Sequence, residues 1–486
     1  MDFPIFHLDL FGNRLLIAVI ATLHVLINHA LAVGLIPLIT LLEYLGFRQR
    51  TTNPELARQW DGLARKIMVT AFIITTSLGA LTGVGIWFSA SLVNPAAIGS
   101  LIRVFFSAWF AEWVIFLLEV VFIMAYVLTW KKSGTSLPAK RRHIKAGAVL
   151  SIFSWLTLVI IAAILSFMMD PGNWENRRTF FSGFFNPLYV PQLYFRTPLA
   201  MILAGSFTLL SIPFFTQKGT EIHSRTVSFC SLWLLVWLPV ALVGALFYRE
   251  AIPRAMIGNL PTAVATMAFS QWYDSLLLVI CGAILMAMLI AGWGFLKPAR
   301  LPAWLLIFPL LASFVFTGMF ERAREFIRKP YVIGNYMYAN GLLVKDYPLY
   351  RETGVLPHAV YVDTPQVTAE NRLKAGQNVF MIACSRCHTV DGINSVARKY
   401  RNLATKGQPL DAEAMKTYTR QMHNVRYYMP PFPGNGEELD ALVAFIIEAE
   451  KNPPALPGAQ TEGVVISPLH TLEAWPKNQP DKGERP

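Results

Sequence analysis

Charged residues are scarce in this sequence, at 15% of 486 residues against 54% hydrophobic. A soluble domain carries about 25% charge, so an ordinary water-soluble enzyme is excluded and a polytopic membrane protein is expected. Cysteine is scarcer still, with 4 in the chain. Cys230 and Cys281 stand alone in apolar runs, and no disulfide framework is implied. Acidic residues are short as well, 30 against 42 basic ones, for a net charge of +12. The basic surplus falls in short loops between apolar segments, as membrane topology demands, which removes nucleic-acid binding as its explanation. A basic leader is also lacking ahead of the first apolar run. That run is too long for a signal-peptide core, so it is expected to stay as an anchor.

The remaining two cysteines carry the clearest chemistry. They stand in Cys384-Ser385-Arg386-Cys387-His388. Two thiols at this spacing reach the two vinyl groups of one haem, and the adjacent histidine is placed to bind its iron, which is the pattern of c-type haem attachment. The other reading of a CxxC pair, zinc or thiol redox chemistry, needs further ligands nearby for the metal, and no other cysteine is close in sequence.

Apolar runs long enough to cross a bilayer occur near residues 14–46, 66–90, 104–130, 146–169, 193–215, 227–248, 273–296 and 301–321, which predicts eight membrane helices. Basic clusters follow the first run (Arg48, Arg50, Arg58, Arg65, Lys66) and the third (Lys131, Lys132, Lys140, Arg141, Arg142, Lys145). Lys218 with Arg225 and Lys297 with Arg300 fall on the same side, which should be cytoplasmic. Eight crossings then put both termini outside. A c-type haem is attached on the outer side of a bacterial inner membrane, so the position of Cys384 agrees with the charge count.

Ionisable groups inside these runs cost about 2.5–3.5 kcal/mol each on insertion scales and need partners. His24 and His29 are five residues apart in the first run, some 140° around a helix, and cannot both face one point. Glu112 and Glu119 are seven apart, on one face and roughly 10 Å apart along the axis, suited to two steps of a proton path. The eighth run ends in Glu321-Arg322-Ala323-Arg324-Glu325-Phe326-Ile327-Arg328-Lys329-Pro330, which read without further context is an interfacial salt-bridge cluster.

Together these residues resemble the first subunit of the cytochrome bd quinol oxidases over roughly residues 10–335. The likeness rests on Arg14 followed ten residues later by His24, on Glu43 at the end of the first helix, on Leu81-Thr82-Gly83, on Glu112 with Glu119, and on Asn186-Pro187. Its sharpest element is Glu325-Phe326-Ile327-Arg328-Lys329-Pro330. The resemblance implies that His24 and Glu325 ligate two membrane haems of b or d type that form an oxygen-reducing pair. His29, which has no clear counterpart in the family, is a further candidate ligand. It implies candidate catalytic roles for Arg14, Glu112, Glu119 and Arg328, and a second, related membrane subunit as partner. The family spaces its two acids by eight, not seven.

Two departures from the family stand out. Where it has the histidine ligand of its low-spin b haem, this chain has Arg196, whose guanidinium stays charged and cannot bind iron. The methionine expected in the seventh helix is replaced by apolar residues before Cys281. The low-spin haem is expected to be missing. The long quinol-binding loop between the sixth and seventh helices is reduced to a short stretch, 248–271.

Residues 336–365 read as a polar, aromatic linker on the outer membrane face, and residues 366–452 resemble a class I cytochrome c. Gly376 and Phe380 fall in a helix ahead of Cys384, 416–424 suits a middle helix, and 437–450 has the apolar spacing of a closing helix. In Tyr427-Tyr428-Met429-Pro430, Met429 is the sixth iron ligand that the resemblance implies, with Met422 and His423 as alternatives. Residues 453–486 lack the apolar content to fold alone.

The expected fold is therefore all-α, a transmembrane bundle of domain 1–335 carrying a periplasmic cytochrome c. The leading functional expectation is a bd-like oxidase subunit fed by a cytochrome c or similar donor through one covalent haem, within a complex of further respiratory subunits. The alternatives are a quinol-oxidising relay that sends electrons outward, a non-catalytic scaffold of a respiratory complex, and nitric oxide as the substrate.

Overall fold

Two of the long helices begin where a polar side chain takes up free backbone donors and a proline follows in the first turn. Asn53 Oδ1 accepts from Leu56 N (3.0 Å) ahead of Pro54, and Ser136 Oγ accepts from Ala139 N (3.3 Å) ahead of Pro138. The computed structural model describes residues 6–266, 269–403 and 409–452. The tail 453–486 lies outside the described residues.

Among the described residues, eight helical segments are long and apolar enough to cross a membrane: α1 Asn13–Gln49, α2 Pro54–Val93, α3 Phe106–Ser133, α4 Leu137–Met169, α5 Tyr189–Phe215, α6 Glu221–Ala251, α7 Ser270–Leu296 and α8 Ala303–Ile327. All eight coincide with the expected runs, though most extend beyond them by several residues. α1 and α5 are the most buried, and α5 packs against α1, α4, α6 and α8. Their crossing is close enough that a Cβ on Gly34 would come 2.1 Å from Ala200 O, so no larger residue fits there. Large apolar side chains on α2, α3 and α7, among them Leu81, Phe88, Leu128 and Leu278, remain exposed, as lipid-facing or subunit-facing surfaces require.

Two features of the helices are not legible from apolar periodicity. α1 widens to a π-helical turn over His29–Gly34, and α2 does so over Thr75–Gly79. Such bulges cluster at functional sites, and both lie beside the polar residues described below.

Beyond α8 the chain forms a small hairpin, β1 Tyr331–Ile333 paired antiparallel with β2 Met337–Tyr338. Gly334 N donates to Met168 O at 3.1 Å, which fixes the hairpin to the end of α4. After a short helix, Tyr347–Thr353, come α9 Arg372–Ala383, α10 Val396–Leu403, α11 Ala412–Val425 and α12 Gly436–Lys451. α9 crosses α12 so tightly that a Cβ on Gly376 would lie 2.0 Å from Ala441 O. Tyr338, Tyr347, Val355 and Leu356 share a buried core with Phe380, Leu439 and Leu442, so the segment after α8 packs into this module instead of merely tethering it.

Candidate haem sites

The Cys384–His388 stretch leaves the end of α9 as one turn, with Cys387 N and His388 N both donating to Cys384 O (3.1 and 2.9 Å). His388 Nδ1 donates to Asn394 O at 3.0 Å, a bond that leaves Nε2 with its lone pair. Asn394, at φ 60°, returns the support through Nδ2 to Cys387 O (2.6 Å). Burial holds the His388 pKa down at about 4, so the ring is neutral, as a metal ligand must be. Burial also pushes the Cys384 thiol up to about 12, unlike the low values of redox-active thiols. Among the described residues no group of three or more His, Cys, Asp or Glu side chains could hold a bare metal ion, so zinc at this CxxC has no ligand set. The donors present suit a covalent haem.

Met429 sits in a turn closed by its N–H to Arg426 O (2.7 Å). His423 Nδ1 donates to Met429 O at 2.6 Å, so this alternative ligand braces the methionine loop. The preceding ring, Tyr428, meets Phe326 of α8 at 5.3 Å. Phe326 also lies under Arg14, whose guanidinium is 5.4 Å from the ring centre.

Glu325 and Arg328 are therefore close to this junction. Arg328 Nη2 donates to both Glu325 oxygens, at 2.6 and 2.5 Å, Lys329 Nζ stands 3.4 Å away, and Arg328 Nη1 donates to Val332 O. A carboxylate has about four lone-pair sites, so these bonds hold Glu325 in place and leave it acceptor capacity for iron.

His24 faces α2. Its Nδ1 is 3.2 Å from Thr82 Oγ1 and 3.0 Å from Asn28 Nδ2. Gly83 stands against the ring, where a Cβ would come 3.1 Å from Cε1. Thr82 sends its own proton to Leu78 O (2.7 Å) and can accept from Nδ1, while Asn28 Nδ2, which donates to His24 O at 3.0 Å, also lies 3.3 Å from Nε2. The ring is half-buried on an open face of the bundle. On α3, Glu119 is buried and accepts from Ser154 Oγ of α4 at 2.5 Å, while Glu112, two turns away on the same face, is half-buried.

His29 lies in the π turn of α1 and faces elsewhere. Its Nε2 is 3.3 Å from Arg196 Nη1. Arg196 is fully buried, pairs with Glu321 at 2.6 Å and lies over the Phe320 ring at 5.2 Å. Glu321 in turn pairs with Arg324 at 3.0 Å. The position where the resemblance puts a haem-ligating histidine is thus occupied by an ion-pair chain that joins α1, α5 and α8.

Sequence reasoning passed over a second buried cluster at the opposite end of the bundle. Glu43 accepts from Tyr126 Oη (2.6 Å) and pairs with His143 Nδ1 (2.6 Å), and Lys140 bridges Glu43 and Asp61. His143 stacks on Tyr126 at 4.2 Å. Only Glu43, a carboxylate closing an apolar run, signals it in the sequence. Its partners come from three other helices.

Fold and site together define a cytochrome c domain carried on a polytopic helical membrane bundle. Residues 371–446 match the family described as cytochrome c oxidase, cbb3-type, subunit III. The bundle is similar to a solved bd oxidase from Geobacillus thermodenitrificans, with a TM-score of 0.51 and 14% identity over 67% of this chain and 88% of that one. At that identity the likeness is one of fold. No curated protein matches the chain. The resemblance noted in the sequence is thus supported in both halves, by a family match in the c domain and by fold alone in the bundle.

Proposed function

We propose that this chain is the electron-accepting subunit of a bd-like terminal oxidase, in which the usual quinol entry is replaced by a covalent c haem. The observation that carries this reading is the seating of the Met429 loop on the end of α8 that bears Glu325 and Arg328, through the contact of Tyr428 with Phe326. Cys384 and Cys387 anchor the c haem, and His388 and Met429 are its iron ligands. His24 and Glu325 hold the membrane haems, of b or d type. Bound there, such haems supply oxygen binding and its reduction to water.

The chain's own groups do the rest. Asn394 and Thr82 orient the two imidazoles, Arg328 fixes Glu325, and Arg14 places its guanidinium over the adjacent Phe326 ring. Glu119, bonded to Ser154, and Glu112 deliver protons along α3. His29 is left out of the ligand set because Arg196 occupies its Nε2. The c domain and both termini lie in the periplasm of a bacterial inner membrane. A soluble cytochrome c or similar protein is the donor, and a second bd-like subunit covers the open face that carries His24.

The test is a pyridine haemochromogen analysis of the purified complex, combined with oxygen uptake driven by a reduced cytochrome c. The expected result is one c haem together with non-covalent haem, and uptake that does not require quinol. A complex with c haem alone, or without oxygen uptake, overturns the reading.

A further inference from the structure

Phe326 follows Glu325 and Tyr428 precedes Met429, so each ring is one residue from a proposed iron ligand. The rings meet at 5.3 Å between centroids with planes 47° apart, across the seam between the bundle and the c domain. The seam is held at other points as well. Ile393 N donates to Leu10 O at 2.8 Å, and Gly392 lies so close to the residue 9–10 backbone that a Cβ would come 2.4 Å from its carbonyls. His7 meets Phe380 edge to face at 5.8 Å. The short stretch between α6 and α7 contributes too. Gly258 lies against the Tyr427 hydroxyl, and Asn259 Nδ2 donates to Ile327 O and Lys329 O, each at 3.3 Å. A segment too short for a quinol loop thus helps to seat the methionine loop on α8.

We propose that the Phe326–Tyr428 contact is where electrons cross from the c domain to the membrane bundle, and that the surrounding contacts fix the c domain in a docked orientation. The inference rests on the reading of Met429 and Glu325 as iron ligands. One electron leaves the ferrous c haem iron, which becomes ferric, and reduces a ferric membrane haem iron at Glu325 to ferrous. No bond forms or breaks and no proton moves. The two rings are positioning residues. They keep the seam packed and free of water between the two sites, and a shortened side chain removes those contacts outright.

The experiment uses the whole complex under anaerobic conditions. A light-activated ruthenium reductant delivers one electron to the c haem, and its departure is followed in the c haem absorption band for wild type, Phe326→Leu, Tyr428→Leu and Tyr428→Phe. Haem content and the c haem midpoint potential are measured on each. Both leucine variants should keep their haems and their potential and lose the electron about tenfold more slowly, a barrier change of about 1.4 kcal/mol. Tyr428→Phe, which keeps the ring, should lose the electron faster than Tyr428→Leu. Wild-type rates in both leucine variants with intact haems, or a Tyr428→Phe rate no faster than that of Tyr428→Leu, overturn the crossing point alone. A wild-type complex that has no membrane haem, or that never passes the electron on, overturns the underlying ligand reading and the crossing point with it. If one leucine variant loses haem, the other position still decides.

Discussion

Arg196 and Glu321 form a buried ion pair at 2.6 Å between α5 and α8, and Arg196 turns its other terminal nitrogen to His29 Nε2 of α1 at 3.3 Å. Arg324 shares the same carboxylate at 3.0 Å. Two guanidiniums on one anion make the partners unequal. Glu321→Leu takes the paired carboxylate from both arginines and leaves Arg196 without a counter-charge, whereas Arg196→Leu leaves Glu321 still paired with Arg324. Breaking a buried pair costs about 3–5 kcal/mol, so Glu321→Leu should reach that range and Arg196→Leu should fall below it. Thermal unfolding of the detergent-solubilised protein reads the order. An Arg196→Leu variant that melts below Glu321→Leu contradicts the network.

Much of this was visible in the sequence, and what was hidden has a common cause. The eight helices follow from hydropathy, and the Cys384–His388 motif declares its chemistry through spacing alone. Arg196 could be recognised as a departure from the family, but its partners could not, because His29 and Glu321 lie 167 and 125 positions away and meet it only through helix packing. The Glu43, His143 and Lys140 cluster was missed for the same reason. The segment at residues 6–12 carries no periodic signal, since its contacts with the c domain run largely through its backbone. The π turn at His29 likewise leaves no mark in the apolar periodicity.

Glu438 of α12 ties the segment after α8 to the c domain by accepting from Val355 N and Leu356 N, both at 2.8 Å. Burial raises its pKa above the ordinary carboxylate value despite these donors. The folded state therefore holds this proton more tightly than the unfolded one. The stabilisation is full below the unfolded pKa of about 4.3 and is lost as pH rises through the higher folded value. Glu438→Gln should flatten that part of the pH profile when unfolding is followed by c haem absorbance. A variant with the wild-type slope between acid and neutral pH sinks the assignment.

Met429 tests the c haem's axial pair independently of the membrane sites. Histidine–methionine ligation raises a haem's potential, so Met429→His should retain the covalent haem and lower its midpoint potential. The shift should be on the order of 100 mV, within the roughly 0.8 V that axial ligands command. Redox titration of the c haem band measures it. An unchanged potential would move the ligand elsewhere, and Met422 would be the next to examine, because His423 already bonds the Met429 carbonyl.

His24 decides between an oxidase and a bare electron relay. Its Nδ1 lies 3.2 Å from Thr82 Oγ1, so replacing the ring removes the proposed iron donor and leaves its neighbours in place. The ring is half-buried on an open face, where truncation creates little internal cavity, and a large loss of stability is not expected. His24→Ala should therefore yield a folded protein with its full complement of c haem and less non-covalent haem per chain. Thr82→Val keeps the imidazole but removes the partner that orients it, and should retain haem with an altered spectrum. Both are measured by haemochromogen content against the c haem of the same sample. Unchanged non-covalent haem in His24→Ala would leave the polar groups of α1 and α2 a purely structural role, with the c domain relaying electrons to another subunit.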